Sequence, residues 1–236
     1  MSPMNSFGLL FKVLWTPGEA MLLISKNPRV LAPLIVLTAV SLAVSMVTFT
    51  KIDAGELALR QLERSGRAQQ MTEEQKERVL AQSRKLTPVF IATAAIGPVI
   101  IITFATAIYF AIFTIIGREG TFKTFYAVTA FAYLPLVVRQ LAAMIQVSVV
   151  PPSSIVPQEL GSLSLAVFLD PTSVSRLVYA IALALDITSI WIMTLLIIGF
   201  KFLARRSVST ALRVTGVAAV FVVFSAIGVG LQMLQG

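Results

Sequence analysis

Residues 177–200 read LVYAIALALDITSIWIMTLLIIGF, and Asp186 is the only charged residue among them. A run of about 20 mainly apolar residues is what a helix needs to cross the hydrocarbon core of a bilayer. The stretch therefore predicts a spanning helix with a carboxylate near its middle. Ionised groups at that depth are costly, and they face a partner or a water-filled cavity. The rest of the chain has to supply one or the other.

Four more segments of the same kind surround it. The expected spans are 30–50, 86–116, 125–150, 176–203 and 212–234, each near or beyond the ~20 residues required. Composition agrees: 57% of the 236 residues are hydrophobic and 13% are charged, against roughly 45–50% and 25% in soluble domains. The fold class expected is all-α, a polytopic bundle of five transmembrane helices. Pro88 and Pro98 fall in the second span and Pro135 in the third; each is a site for a kink that neighbouring helices can accommodate.

The N-terminal segment 1–29 is of another kind. Phe7, Leu10, Phe11 and Leu14 recur at helical spacing over a stretch too short to cross. Thr16, Pro17 and Glu19 in TPGE then open a second short helix, which should end before Asn27-Pro28. Both helices are expected to be amphipathic and interfacial, with packing against the bundle as the alternative. Nothing at the start has the order of a cleaved signal peptide, so the first span is expected to be retained.

The domain that follows is 30–236, with a charged insertion at 51–85. That insertion carries eight basic and six acidic residues. Asp53 with Glu56 and Thr72 with Gln75 form capping-box openings, Glu56–Arg60, Glu63–Arg67 and Glu74–Arg78 are i, i+4 pairs, and Gly66 can end a first helix. An extramembrane helical hairpin is expected there. The connection at 151–175 holds three prolines before an apolar stretch, 160–169, which suits a re-entrant or interfacial cap.

Charge sets the expected orientation. The connections at 117–123 and 201–213 carry Arg118, Lys123, Lys201, Arg205, Arg206 and Arg213, whereas 148–175 has no Lys or Arg. The positive-inside rule then puts the N-terminus in the cytoplasm and the C-terminus outside, in a cell (inner) membrane. The cost is a hairpin with eight basic residues on the outside. A formal charge of +8 points to anionic lipid head groups as partners, with Lys201, Arg205, Arg206 and Arg213 as contacts, rather than to nucleic acid.

Arg139 is the other charge deep in an apolar run. It lies about 12 Å below the edge of its span, and Asp186 lies about 15 Å below the same edge at 1.5 Å per residue. Their faces are small or polar, so Asp186 is expected to answer Arg139 across a helix contact, with Tyr179, Gln146 and Ser189 in support. Three arrangements are open: a neutralised pair fixing helix register, a polar cavity for a proton, ion or lipid head group, or an Arg139 that snorkels outward.

Histidine and cysteine are absent, which removes disulfides, thiolate nucleophiles and the commonest metal ligands and general base. No phosphate loop, metal-ligand cluster or nucleophile motif is present. No cofactor, metal or catalytic residue is expected.

Several strings together resemble a known family. MTEEQKERVLAQSRKLTPVF precedes the second span, GREGTFKTFYAVTAFAYLP joins the second and third, FLDP lies in the outer connection, and ALDITSIWIMTLLIIGF makes the fourth; WTPGEAMLLISKNPRVLAPL leads into the first. In this order they resemble the bacterial branch of the Ypt-interacting protein (Yip) domain family. The resemblance implies a five-span bundle with a cytoplasmic N-terminus and recurring positions at Asp186, Trp191 and Gly199. It identifies no catalytic residue. Eukaryotic members of the family bind prenylated small GTPases and shape membranes. The function expected here is non-enzymatic organisation of membrane lipids or recruitment of membrane proteins, with other membrane proteins or self-association as further partners. The alternative is a small transporter or lipid-translocating protein using Arg139 and Asp186.

Overall fold

A computed structural model describes residues 6–64, 66–152, 155, 160–170 and 173–235. Eleven α-helices are named below, and among the described residues the only β-pairing is two isolated bridges. Helices α1 (Ser6–Trp15) and α2 (Pro17–Lys26) precede α3 (Leu31–Lys51). The charged insertion folds as α4 (Ala54–Arg64) and α5 (Glu73–Lys85). Then come α6 (Thr87–Ile116), α7 (Phe122–Ala132), α8 (Pro135–Val149), α9 (Arg176–Ala184), α10 (Ile187–Phe200) and α11 (Thr210–Gln235).

Four helical units are long and apolar enough to cross a membrane: α3, α6, α7 with α8 taken together, and α11. The expected fourth span, 176–203, is not one helix. It is divided at Leu185–Asp186 into α9, of nine residues, and the apolar α10, of fourteen, which ends at Phe200. Asp186 is in an extended conformation and its side chain caps α10. A residue with an N-cap side chain starts helices better than it continues them, and this one divides the span.

The prolines act as the chain geometry dictates. Pro135 occupies the first turn of α8, just after the turn at Tyr133–Leu134 that interrupts the third span. Pro98 lies inside α6. Having no N–H, it leaves the carbonyl of residue 94 without its helical donor. Ser41 of α3 supplies the replacement: its hydroxyl donates to the Ala94 carbonyl at 2.8 Å. That hydroxyl ties α3 to α6 where hydrocarbon offers no other donor.

The core lies where α1, α2, α7 and α10 meet α6. Phe113, Phe125 and Phe200 are fully buried with ring centroids 5.0–5.6 Å apart. Gly199 lets α10 approach closely: a Cβ there would collide with Val128 and stand 3.2 Å from Met21 Sδ. Val13, Ala20, Met21 and Ile24 are wholly buried in the same cluster, so the N-terminal helices share the core of the bundle. The expected stripe on α1 divides accordingly. Leu10 faces inward with Leu9 and Val13, while Phe7, Phe11 and Trp15 remain exposed on the other side.

Helices α4 and α5 pack on each other, held close at Gly55, where a Cβ would stand 2.7 Å from the Leu80 carbonyl. Thr72 and Gln75 form a complete capping box. Gly66, at φ 72°, follows α4 in the left-handed conformation. Lys51 donates to the Ser148 carbonyl at 2.9 Å and Arg60 to that of Pro152, so this pair stands at the end of the bundle where α8 finishes. We call this the hairpin end. The opposite end carries the connections 117–121 and 201–209, joined by the bridge between Arg118 and Ala204; we call it the loop end.

Candidate functional site

Asp186 is 1% exposed. Its Oδ1 accepts the Thr188 N–H at 2.8 Å, which caps α10. Its Oδ2 accepts the N–H of Leu163 at 3.0 Å. The second donor comes from the apolar connection between α8 and α9. Ser164 bridges to Asp186 in antiparallel fashion: Ile187 N–H donates to the Leu163 carbonyl at 3.2 Å, and Leu165 N–H to the Leu185 carbonyl at 3.3 Å. The connection therefore supplies both a donor and an acceptor to the helix break. Orphan backbone groups at two helix ends inside the bundle find partners without water.

Gly161 routes the chain to this point. It adopts φ +64°, and a Cβ there would collide with the Arg139 carbonyl and lie 2.9 Å from Ala143 Cβ. Ala143 is six residues before the end of α8, or about 9 Å into the helix at 1.5 Å per residue. Gln146 fixes the crossing by accepting the Gly161 N–H on Oε1 at 3.0 Å. The segment then turns through a short 3-10 helix, Leu165–Phe168. It thus dips into the bundle alongside α8 and the break between α9 and α10.

The expected ion pair is replaced by this arrangement. Among the described residues no ion pair or hydrogen bond joins Arg139 to Asp186; the carboxylate accepts from two backbone donors instead. Gln146 serves Gly161 instead. Tyr179 stands on α9, and its N–H completes the first turn on the Ser175 carbonyl. Ser189, Arg139 and Asp186 do come together, as walls of one cavity.

The cavity has a volume of about 490 Å³ and is bounded by α6, α8, α9, α10 and α11. It is partly open. Ligand sites of about 300–1,000 Å³ with a few polar groups among apolar walls are the usual form of a small-molecule pocket. Here Tyr109, Tyr133 and Ser225 add polar groups to walls such as Phe104, Leu136 and Phe221. The sequence pattern singled out Arg139, Asp186 and Ser189 but not the two tyrosines, whose places in ordinary apolar helical runs carry no signal of a cavity.

The loop end is cationic. Arg118 is held in place: Nε donates to Thr114 Oγ1 and a terminal nitrogen to the Gly120 carbonyl, both at 2.9 Å, and its guanidinium lies 4.3 Å from the Phe110 ring centre. Lys201, Arg205 and Arg206 are exposed. Arg213 differs from them. It is half-buried and donates to Thr210 Oγ1 within α11 at 2.8 Å.

No curated protein and no solved structure matches this chain. A family model does, the Yip1 domain, over residues 11–231. That match begins inside α1 and ends in α11, and the chain therefore belongs to the Yip1 domain family as a membrane protein with several helices able to span the bilayer.

Proposed function

We propose that this protein is a non-enzymatic organiser of membrane lipids, of the bacterial Yip type, set in the cytoplasmic membrane with its N-terminus and loop end on the cytoplasmic side. Five crossings result when α9 and α10 together count as one broken span, and the C-terminus then lies outside. The carrying observation is the pairing of two lipid-seeking surfaces at the loop end. Phe11 and Trp15 are 70% and 83% exposed on the outer face of α1, and Lys201, Arg205 and Arg206 are exposed on the connection to α11. Aromatic rings suit the interface and cations suit anionic head groups. The cost of this orientation is a hairpin whose eight basic residues lie outside, against the positive-inside rule. Arg60, Lys76, Arg78 and Arg84 are paired with Glu56, Glu73, Glu74 and Asp53, and Lys51 is taken up by a carbonyl.

The test is the lipid shell. Nanodiscs cut from membranes containing phosphatidylglycerol should carry a shell enriched in that lipid around the native protein. The enrichment should fall when Lys201, Arg205 and Arg206 are all changed to Gln. Equal shells would refute the proposal. Recruitment of other membrane proteins through the α4–α5 surface is compatible with the same reading.

The cavity favours a second reading, a transporter or lipid-translocating protein working through Arg139 and Asp186. It predicts transbilayer movement of labelled lipid in proteoliposomes, lost in Arg139→Gln. Organisation alone predicts no movement.

A further inference from the structure

We infer that the cavity among α6, α8, α9, α10 and α11 holds one acyl chain of a membrane phospholipid whose phosphate is seated on Arg139. This deepens the membrane reading above by giving the site a ligand class. The first support is the make-up of the cavity wall, which sets one cation and a few polar groups among apolar side chains. Arg139, Asp186 and Ser189 line it together with Gly228. Arg139 lies ten residues before the hairpin end of α8, and Gly228 lies seven before the end of α11. Tyr109, Leu196 and Phe221 line the cavity further toward the loop end. At 1.5 Å per residue Arg139 stands about 15 Å from the hairpin end, so a phosphate on it is drawn below the head-group level into the bundle, and the acyl chain runs on along walls such as Leu196 and Phe221.

The second support is charge. Arg139 is half-buried, and its guanidinium has no hydrogen bond or ion pair to a described residue. Asp186, the one carboxylate among the described residues lining the cavity, accepts from Thr188 and Leu163 and makes no ion pair with Arg139. A guanidinium in a mostly apolar cleft wants an anion able to take two hydrogen bonds, and a phosphate has that geometry. A lipid head group supplies it without leaving the membrane. The third support is room. Ala180, Ala184, Ser225 and Gly228 keep the wall at α9 and α11 low, and a Cβ on Gly228 would meet nothing within 4 Å.

The experiment uses delipidated full-length protein in detergent with pyrene-labelled phosphatidylglycerol, and reads the lipid that co-elutes on size exclusion. Arg139→Gln should weaken retention about tenfold, the scale of a lost charge-assisted contact. Gly228→Leu should block retention by filling the cavity, while its melting temperature stays at or above that of the native protein. Unlabelled phosphatidylglycerol should compete; diacylglycerol, which lacks the phosphate, and inorganic phosphate, which lacks the chain, should not. Retention unchanged in both variants, or competition by diacylglycerol or by phosphate alone, overturns the inference. Such a failure leaves the lipid-shell test at the loop end untouched, because that test reads Lys201, Arg205 and Arg206, and none of these lines the cavity.

Discussion

Asp186 shows how a single carboxylate can set the course of a chain inside a membrane. With two backbone N–H groups on its oxygens, it holds the start of α10 and the connection between α8 and α9 at once. Asp186→Ala leaves both donors buried without an acceptor, at about 1–3 kcal/mol for each unsatisfied group. A large drop in melting temperature in detergent is expected, with a smaller one for Asp186→Asn, which keeps one acceptor oxygen. Arg139→Gln should cost far less, since no described partner is lost. A neutralised ion pair would instead make the two residues comparably costly to remove, so the ratio of the two losses separates the arrangements. Ser41→Ala offers a companion test at Pro98. It removes the donor to the Ala94 carbonyl, and a loss of about 1 kcal/mol is expected from equilibrium unfolding.

At the scale of elements, close approach and charge pairing decide what holds. Gly199 permits the contact of α10 with α7 and α2. Gly199→Leu should destabilise the bundle by about 1–3 kcal/mol or more through overpacking, read as a fall in melting temperature, whereas Gly18→Ala, where a Cβ would meet open space, should not. In the α4–α5 pair, burial pushes the Asp53 carboxyl up. The N–H of Glu56 and the Arg84 guanidinium, 2.8 Å away, outweigh that and hold it below its ordinary value of 3.8. Because the folded-state value is the lower one, this contribution is whole above 3.8 and is lost as pH falls through the folded-state value. Amide exchange in α4 and α5 should therefore speed up across the acid range beyond its intrinsic pH dependence, and Asp53→Asn should flatten that excess. Most of these elements were legible in the sequence. Apolar run length announced α3, α6, α7 with α8 as one span, and α11, and the spacing of Thr72 and Gln75 announced the cap of α5. The division of 176–203 was not, because hydropathy sums over the window and treats one aspartate as a minor deduction. Only the tertiary fact that Leu163 arrives with a donor turns that aspartate into a boundary.

Seen whole, the molecule is a bundle whose two ends do different things. The loop end joins the core of α1, α2, α7 and α10 to an exposed aromatic and cationic rim; the hairpin end closes over a connection that turns back into the bundle. The apolar stretch at 160–169 was readable as a re-entrant or interfacial segment from its length, and Gly161 marks where it crosses α8. Its docking partner was hidden, since residues 163 and 186 are joined only by folding. The same blindness produced the expected pairing of Arg139 with Asp186: matched depth and matched faces are necessary for a pair, but they bring these two only to the walls of one cavity. The absence of cysteine from the sequence makes the docking directly measurable. Ser164 is buried beside Asp186 and Ser173 is exposed, so each can carry a single cysteine in an otherwise thiol-free protein. With a membrane-impermeant maleimide, Ser173→Cys should label rapidly and Ser164→Cys should resist, becoming reactive when Asp186→Ala is added. Equal labelling of Ser164→Cys with and without the Asp186 change would contradict the account.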